Sequence, residues 1–176
     1  MKTAIRIILG VLAVALLCAG PALAKKGKKD EGPQIPPVIT ADQAKSTVSS
    51  AISKLSVGQP FTKQGKQGDI KLEVPLMLEG KIVAKMRMNP ATGEILIKGQ
   101  NPFIQKLSVT REQAAQTVQG IVKDLQVGPP WLGKQGEWKV PLLYKGAVVA
   151  EMGVHGQNGS ILPDWKASKD ATMFGR

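Results

Sequence analysis

Two stretches of the chain carry apolar residues at the spacing of an amphipathic helix, so that each predicts one apolar face. Their apolar positions are Ala44, Val48, Ile52 and Leu55, and Ala114, Val118, Ile121, Val122 and Leu125. Thr40 with Gln43, and Thr110 with Gln113, fit the capping box, in which the two side chains satisfy backbone N–H groups at a helix start. The pattern therefore predicts a helix beginning after Thr40 and another after Thr110.

Beyond each helix the apolar period becomes two. Residues 70–74 and 82–88 alternate apolar and polar side chains, which predicts half-buried antiparallel strands. Glu79-Gly80 predicts a short hairpin turn between them, and residues 94–98 are predicted to form a third strand. The unit is thus a helix followed by a three-stranded meander.

The sequence of this unit is repeated later in the chain. Thr110 follows Thr40 by 70 residues, and later matches fall at spacings of 68 and then 66. Equivalent features of the second copy are the turn Lys145-Gly146 and a third strand at 161–162. Matches in sequence order predict a duplication. The two slips in register are predicted in the loop after the helix and at the start of the first long strand, where insertions cost least.

A proline recurs at the same place in both copies. Pro75 and Pro141 each fall inside a predicted strand. Because proline has no N–H to donate to a ladder, each predicts an edge strand or a bulge.

These patterns predict an α+β fold of two tandem helix-plus-meander units, packed as a pseudo-two-fold pair. Whether the two units share one sheet is left open. The predicted segments are a signal peptide at 1–24, a basic arm at 25–39, a first unit at 40–100, a second unit at 107–166 and a tail at 167–176.

The first 24 residues have the organisation of a secretory signal peptide. Lys2 and Arg6 precede an apolar run, and Ala22-Leu23-Ala24 ends in the small-x-small pattern that signal peptidase cleaves. We expect cleavage after Ala24 and a periplasmic or secreted protein with no transmembrane segment in the mature chain. Leu17 precedes Cys18, where a lipoprotein signal usually has a small residue, so acylation is not expected.

The chain is basic, with 24 Lys and Arg against 13 Asp and Glu and a net charge of +11. Such a charge favours an anionic partner or surface without naming one. The candidate electrostatic contacts are Lys25, Lys26, Lys28 and Lys29 in the arm, and Lys85 and Arg87 in the first unit. The arm is either a solvated leader or a tether to anionic lipid or polymer. Nucleic acid is not expected, because aromatic residues that stack on bases are only 4% of the chain.

The units at 40–100 and 107–166 resemble a known family, and the motifs that carry the resemblance lie at residues 80–96. The strand Gly-Lys-Ile-Val-Ala-Lys-Met-Arg-Met and the turn Asn-Pro-Ala-Thr-Gly-Glu-Ile-Leu, following a helix, are similar to the PepSY and PepSY-like domains of exported bacterial proteins. Asn89 stands where family members usually carry Asp, and residues 155–159 of the second copy depart further. The resemblance implies a non-enzymatic exported module, in some members a regulator or inhibitor of peptidases, with no catalytic residues and no cofactor.

Residues for catalysis or metal binding are scarce. The chain has one His and one Cys, which excludes mechanisms and metal sites that need several of them. Met86 and Met152 occupy equivalent positions, and Met88 shares a strand face with Met86, so a soft-metal site with His155 can be drawn. Alternation into the core explains the same methionines, and no metal is expected.

Aromatic residues are concentrated in the second copy. It contains Trp131, Trp138, Tyr144 and Trp165, whereas the first copy has no Trp or Tyr. These four are the candidate partner-binding residues, because Trp and Tyr are enriched at binding hot spots; the alternative is that they form that copy's core. The sequence favours a binding module for a protein or peptide in the cell envelope. The other candidate is a structural envelope protein held by its charge to anionic polymer or lipid.

Overall fold

The computed structural model describes residues 35–175 of the chain. The predicted signal peptide and the arm lysines Lys25, Lys26, Lys28 and Lys29 lie outside that range. The described residues form three α-helices and two antiparallel sheets, which confirms the predicted α+β class. Within this range no helix combines the length and the apolar character needed to cross a membrane.

The first two helices begin where the capping boxes predict. Helix α1 spans Ala41–Ile52 and helix α2 spans Arg111–Ile121. The Thr40 hydroxyl accepts a hydrogen bond from the backbone N–H of Gln43, and the Gln43 side chain accepts one from the N–H of Thr40. The same reciprocal pair at α2 is formed by Thr110 and Gln113. Both predicted capping boxes are confirmed.

The first sheet is built around one long strand. Its strands are β1 (Ser56–Val57), β2 (Phe61–Gln64), β3 (Ile70–Leu78) and β4 (Lys81–Met88). The short strands β1 and β2 pair with different stretches of β3, and β4 pairs with β3 as a hairpin. The short strands β1 and β2 were not predicted.

The second sheet follows the same plan and adds one strand. Its strands are β5 (Gln126–Val127), β6 (Trp131–Leu132), β7 (Trp138–Tyr144), β8 (Ala147–Val154) and β9 (Ile161–Leu162). Strands β5 and β6 pair with β7, β7 with β8, and β8 with β9. The predicted third strand of the second copy is confirmed as β9. In the first copy residues 94–98 make only an isolated bridge between Ile95 and Met88.

Both predicted hairpin turns are confirmed. Glu79 and Lys145 have φ of 51° and 49°, and the glycine after each has φ of 78°. Positive φ at both central residues matches the right-handed twist of paired strands. A shift in ladder register lies one residue beyond each proline, between Leu76 and Met77 and between Leu142 and Leu143, and it skips Val83 or Val149 on the partner strand. A bulge therefore lies next to each proline, although Pro75 and Pro141 themselves keep regular partners. The alternative of an edge strand is wrong, because β3 and β7 are central.

One of the two slips in the repeat lies at the predicted place, the start of the first long strand, and the other lies in the short strand before it rather than in a loop. Phe61 pairs with Glu73 in the first copy and Trp131 pairs with Lys139 in the second, yet β2 has four residues and β6 has two. The second copy therefore lacks two residues in each strand of this hairpin. Since side chains alternate with a period of two, this shortening leaves every remaining side chain on its original face.

The two sheets are connected to each other by hydrogen bonds. After the bridge at Ile95, the backbone N–H of Lys98 donates to the carbonyl of Val148 on β8 at 2.7 Å. After β9, the N–H of Asp164 donates to the carbonyl of Ile82 on β4 at 2.8 Å. Strands β4 and β8 consequently lie close together along the middle of the molecule.

Each early helix lies against the strands of the other copy. Helix α1 contacts β5, β7 and β8, whereas α2 contacts β1 and β3. The buried apolar side chains of both copies form one cluster, which includes Val48, Val118, Leu76 and Leu142. All the described residues belong to one compact unit, so the two copies complete one core.

A third helix follows β9. Helix α3 spans Trp165–Phe174 and so begins in the predicted second unit and continues through most of the predicted tail at 167–176. The Asp164 side chain caps it by accepting from the backbone N–H of Ala167 at 2.8 Å. Helix α3 contacts β2 and β4, on the face of the first sheet opposite α2.

Candidate binding surface

The outer face of the first sheet, opposite the core, is covered by α3. Glu73 on β3 points to this face and is only 3% exposed. Its carboxylate lies 3.1 Å from Lys63 Nζ and 2.6 Å from Lys85 Nζ. Asp170 of α3 binds the same Lys63 ammonium and lies 3.5 Å from that of Lys85. These four residues form an ion cluster that fastens α3 to the sheet.

The neighbouring charges in the ion cluster shift the pKa values of Lys63 and Asp170. Burial lowers the pKa of Lys63, but its hydrogen bond with Asp170 and its attraction to Glu73 outweigh burial and raise the pKa above the ordinary lysine value. Burial raises the pKa of Asp170, and the hydrogen bond from Lys63 outweighs it, so the net pKa is lowered. Both shifts favour the charged forms at neutral pH.

The corresponding face of the second sheet carries the opposite charges. Ladder registers place Lys139 at the position of Glu73 and Glu151 at the position of Lys85. The Glu151 carboxylate pairs with Lys98, and Lys139 Nζ lies 3.8 Å from Glu137 Oε1. No helix among the described residues covers this face.

An open cleft of about 550 Å³ lies on this outer face. Its floor includes Lys139, Glu151 and Gly153, and its walls include the hairpin loop at Gln135–Glu137 and the residue Trp165. Gly153 takes the position that Arg87 holds in the first sheet. A Cβ added at Gly153 would only touch Leu162, at 3.4 Å, so the glycine leaves room in the cleft that a larger side chain would occupy.

Two of the predicted aromatic residues are exposed beside this cleft. Trp165 is 76% exposed and lines its wall. Trp131 is 43% exposed and pairs with Lys139 of the cleft floor. Lys98 Nζ lies 5.9 Å from the centroid of the Trp131 ring, within range of a cation–π contact. The surface formed by these two tryptophans, Lys98 and the cleft floor is called the Trp surface below.

The other two predicted aromatic residues are not part of the Trp surface. Trp138 packs against the core and donates its indole N–H to the backbone carbonyl of Ile39 at 2.9 Å. Tyr144 also packs against the core, with Lys145 Nζ 5.3 Å from its ring centroid. The register places Trp138 opposite Val154, as Leu72 lies opposite Met88, so Trp138 occupies a core position.

The predicted electrostatic contacts in the first unit are already engaged within the protein. Lys85 belongs to the ion cluster that holds α3. The Arg87 guanidinium donates to the backbone carbonyl of Gln100 at 2.7 Å and to Asn101 Oδ1 at 2.9 Å. Both cations therefore have protein partners in the described residues.

The histidine and the methionines do not come together as a metal site. Met86 and Met152 are fully buried and Met88 is 1% exposed, which confirms that these side chains face the core. His155 lines the cleft, and its Nδ1 accepts from the backbone N–H of Gln157 at 3.1 Å. The described residues contain no group of three or more His, Cys, Asp or Glu side chains placed to hold a metal ion.

The sequence patterns did not predict α3. They also did not predict that α3 covers the outer face of the first sheet while that of the second sheet stays open. Asp164, three residues before Ala167, was the available signal for a helix start. Comparisons of the chain with protein-family models, with curated proteins and with solved structures gave no match.

Proposed function

We propose that this protein is an exported, non-enzymatic PepSY-like module that binds a protein or peptide of the cell envelope on its Trp surface. One observation carries the proposal: α3 covers the outer face of the first sheet, whereas the equivalent face of the second sheet is an uncovered cleft with Trp165 on its wall. Because a soluble domain rarely leaves a side chain of this size largely exposed beside a cleft, such a surface is typical of an interaction site.

The proposal includes the arrangement of the two units as a pseudo-two-fold pair of tandem PepSY-like repeats. Reciprocal hydrogen bonds support it. Lys98 donates to Val148 as Asp164 donates to Ile82, with both donors and both acceptors 66 residues apart. The segment before each helix also bonds to the turn of the other copy, through the pairs Val38 and Ile39 to Gly156, and Ser108 and Val109 to Pro90.

In this proposal, the two outer faces of the duplicated domain have different roles. The first outer face binds the chain's own α3 and completes the fold. The second outer face, where the hairpin is shorter and Gly153 replaces an arginine, is left for a partner. In the PepSY resemblance, the partner class is a peptidase or another envelope protein whose activity the module regulates or inhibits.

Filling the cleft tests the proposal. The mature chain and a Gly153→Leu variant would be used as baits on the native envelope fraction, and bound proteins quantified by mass spectrometry. We expect a partner that the wild-type chain captures and the variant loses by at least about tenfold, the equivalent of 1.4 kcal/mol. Gly120→Leu is the matched control, because it adds the same side chain to open space on α2.

A second variant removes an aromatic contact without filling the cleft. Trp165→Ala is expected to weaken capture of the same partner, whereas Phe103→Ala, which truncates an aromatic residue 59% exposed elsewhere, is expected to leave capture unchanged. If both cleft variants retain their partners at wild-type levels, the Trp surface is not the binding site.

The alternative function is attachment to anionic polymer or lipid, which the net charge of +11 favours. Its signature differs. Attachment through charge would survive Gly153→Leu and would fall steeply as salt is raised, because screening shortens the range of electrostatic attraction. Capture that is insensitive to the cleft variants and lost at high salt would therefore favour this alternative.

A further inference from the structure

We infer that the partner segment bound by the Trp surface is an amphipathic α-helix with a lysine or arginine at the centre of its contact face. The inference rests on the proposed function and names its ligand class. It comes from the chain itself, because α3 shows how the equivalent face of the first sheet is occupied.

Helix α3 contacts its sheet through small residues and one charged residue. Ala167 is fully buried, and Ala171 faces the groove between the helix and the sheet. Asp170 is 16% exposed and contacts the ammonium groups of Lys63 and Lys85. Small side chains allow a helix to approach the strands closely, and the carboxylate matches the two cations beneath it.

On the outer face of the second sheet, the charges are reversed at the two strand positions that lie beneath α3 in the first sheet. Lys85, which contacts Asp170, is replaced by Glu151, and Glu73 is replaced by Lys139. Lys63 has no equivalent, since it lies in the part of the hairpin that the second copy lacks. An acid like Asp170 would meet Glu151 unfavourably there, whereas a cation would pair with it.

The second site has room for a helix. Gly153 stands where Arg87 projects from the first sheet, and the shortened hairpin ends at the loop Gln135–Glu137 on the cleft wall. Trp165 lies at the start of α3 and lines both this cleft and the groove under α3. A partner helix in the cleft would therefore pack against the Trp165 ring.

In the free protein, the Lys98 ammonium occupies the position beside Glu151 that the partner's cation would take. It pairs with Glu151, its side chain is 45% exposed, and it extends over the Trp131 ring. A partner lysine or arginine reaching Glu151 would displace it. Removing Lys98 should therefore strengthen the binding of a basic helix, which is the opposite of the effect expected if Lys98 were itself a contact to the partner.

Two synthetic peptides test the inference. Both have the sequence of residues 163–175, are held helical by a staple on the exposed face and carry a fluorophore; one has Asp170→Lys. Fluorescence anisotropy with the full mature chain measures their affinities. We expect the Asp170→Lys peptide to bind about tenfold more tightly than the unchanged peptide, and Lys98→Ala to tighten it further.

Variants of the protein locate the binding and its charge preference. Gly153→Leu is expected to abolish binding of the Asp170→Lys peptide, and Gly120→Leu to leave it unchanged. Glu151→Lys is expected to reverse the preference between the two peptides. Circular dichroism of each variant checks that the fold is retained.

Equal affinity of the two peptides, or binding that neither Gly153→Leu nor Glu151→Lys alters, would overturn the inference. So would a concentration-dependent dimer in sedimentation that Gly153→Leu dissociates, since the occupant would then be a second copy. If neither peptide binds but Gly153→Leu still prevents capture of an envelope partner, the helix inference fails and the proposed function stands. If capture is also unaffected, both fail.

Discussion

Single residues decide which parts of the duplicated surface are available. The tryptophans of the second copy look alike in the sequence, yet Trp165 and Trp131 are exposed and Trp138 packs against the core. The difference follows from strand position, because Trp138 lies on the core-facing side of the sheet in β7, whereas Trp131 in β6 pairs with Lys139 and lies on the outer face. Aromatic content alone therefore did not identify the surface.

Tryptophan fluorescence is expected to separate these residues. Three variants, each retaining one tryptophan and carrying Phe at the other two, would be titrated with acrylamide. Trp165 should emit at the longest wavelength and be quenched most, Trp131 less, and Trp138 least. A blue-shifted, quencher-resistant Trp165 would contradict its exposed position.

Gly156 is expected to be the least replaceable glycine of the cleft. A Cβ added there would overlap the backbone carbonyl oxygen of Gly136, which cannot move as a side-chain end can. We expect Gly156→Ala to lower the free energy of unfolding by about 1–3 kcal/mol, the usual cost of overpacking.

Gly120→Ala provides the contrast, measured by the same chemical denaturation. Gly120 is exposed at the end of α2 with nothing near its added Cβ. Alanine is the better helix former, so the substitution should raise the free energy of unfolding by about 0.5–1 kcal/mol. If the two substitutions change the free energy of unfolding equally, the added Cβ at Gly156 does not clash with the Gly136 carbonyl as expected.

At the level of elements, α3 is the feature that makes the two outer faces unequal. Its docking depends on a helix cap at Asp164 and on the ion cluster around Glu73. Neither pattern repeats in the first copy, where Lys98 stands at the position of Asp164 and the chain continues into the linker. The helix therefore covers one face only.

Docking of α3 is expected to depend on pH through Asp170. The folded-state pKa of Asp170 is below its unfolded value near 3.8, so its contribution is present above that pH and is lost as the pH falls through the lower folded value. The folded-state pKa of Lys63 is above 10.5, so its contribution is present below that pH and is lost as the pH rises through the higher folded value.

Asp170→Asn tests this at the acidic end. At pH 7 the variant should be less stable than the wild-type protein by about 1–2 kcal/mol, a value between those of exposed ion pairs and of hydrogen bonds to charged groups. The difference should shrink as the pH falls from 3.8 through the lower folded-state pKa of Asp170, where the wild-type carboxyl becomes protonated. Denaturant unfolding at several pH values measures it, and a difference that persists unchanged at pH 2.5 would exclude a charge effect.

For the whole molecule, the exchange of helices between the two copies makes the fold a single cooperative unit. Each sheet lies against a helix that belongs to the other half of the chain. A half on its own would expose the apolar face of its sheet and of its helix together.

Cutting the chain tests this cooperativity. Fragments 35–106 and 107–176 are each expected to lack native circular dichroism alone and to recover it when mixed. The uncut chain that retains only Trp138 should show one unfolding transition, coincident by circular dichroism and by tryptophan fluorescence. A fragment that folds alone would show that its helix can cover its own sheet.

The helix starts, the two hairpin turns and the alternation of the strands were predictable because each depends on residues a few positions apart. Thr40 reaches Gln43 within one helical turn, and Glu79-Gly80 carries its own backbone preference. The internal repeat extended these local predictions to both copies without further information.

The features that the sequence patterns did not predict depend on contacts between residues far apart in the chain. Lys63 and Asp170 are 107 positions apart, and nothing near either residue indicates the other. The sheet that each helix covers, the face that α3 occupies and the cleft that stays open follow from such distant contacts. Local pattern therefore specified the elements, and only the packing of distant parts of the chain decided which outer face is covered and which stays open.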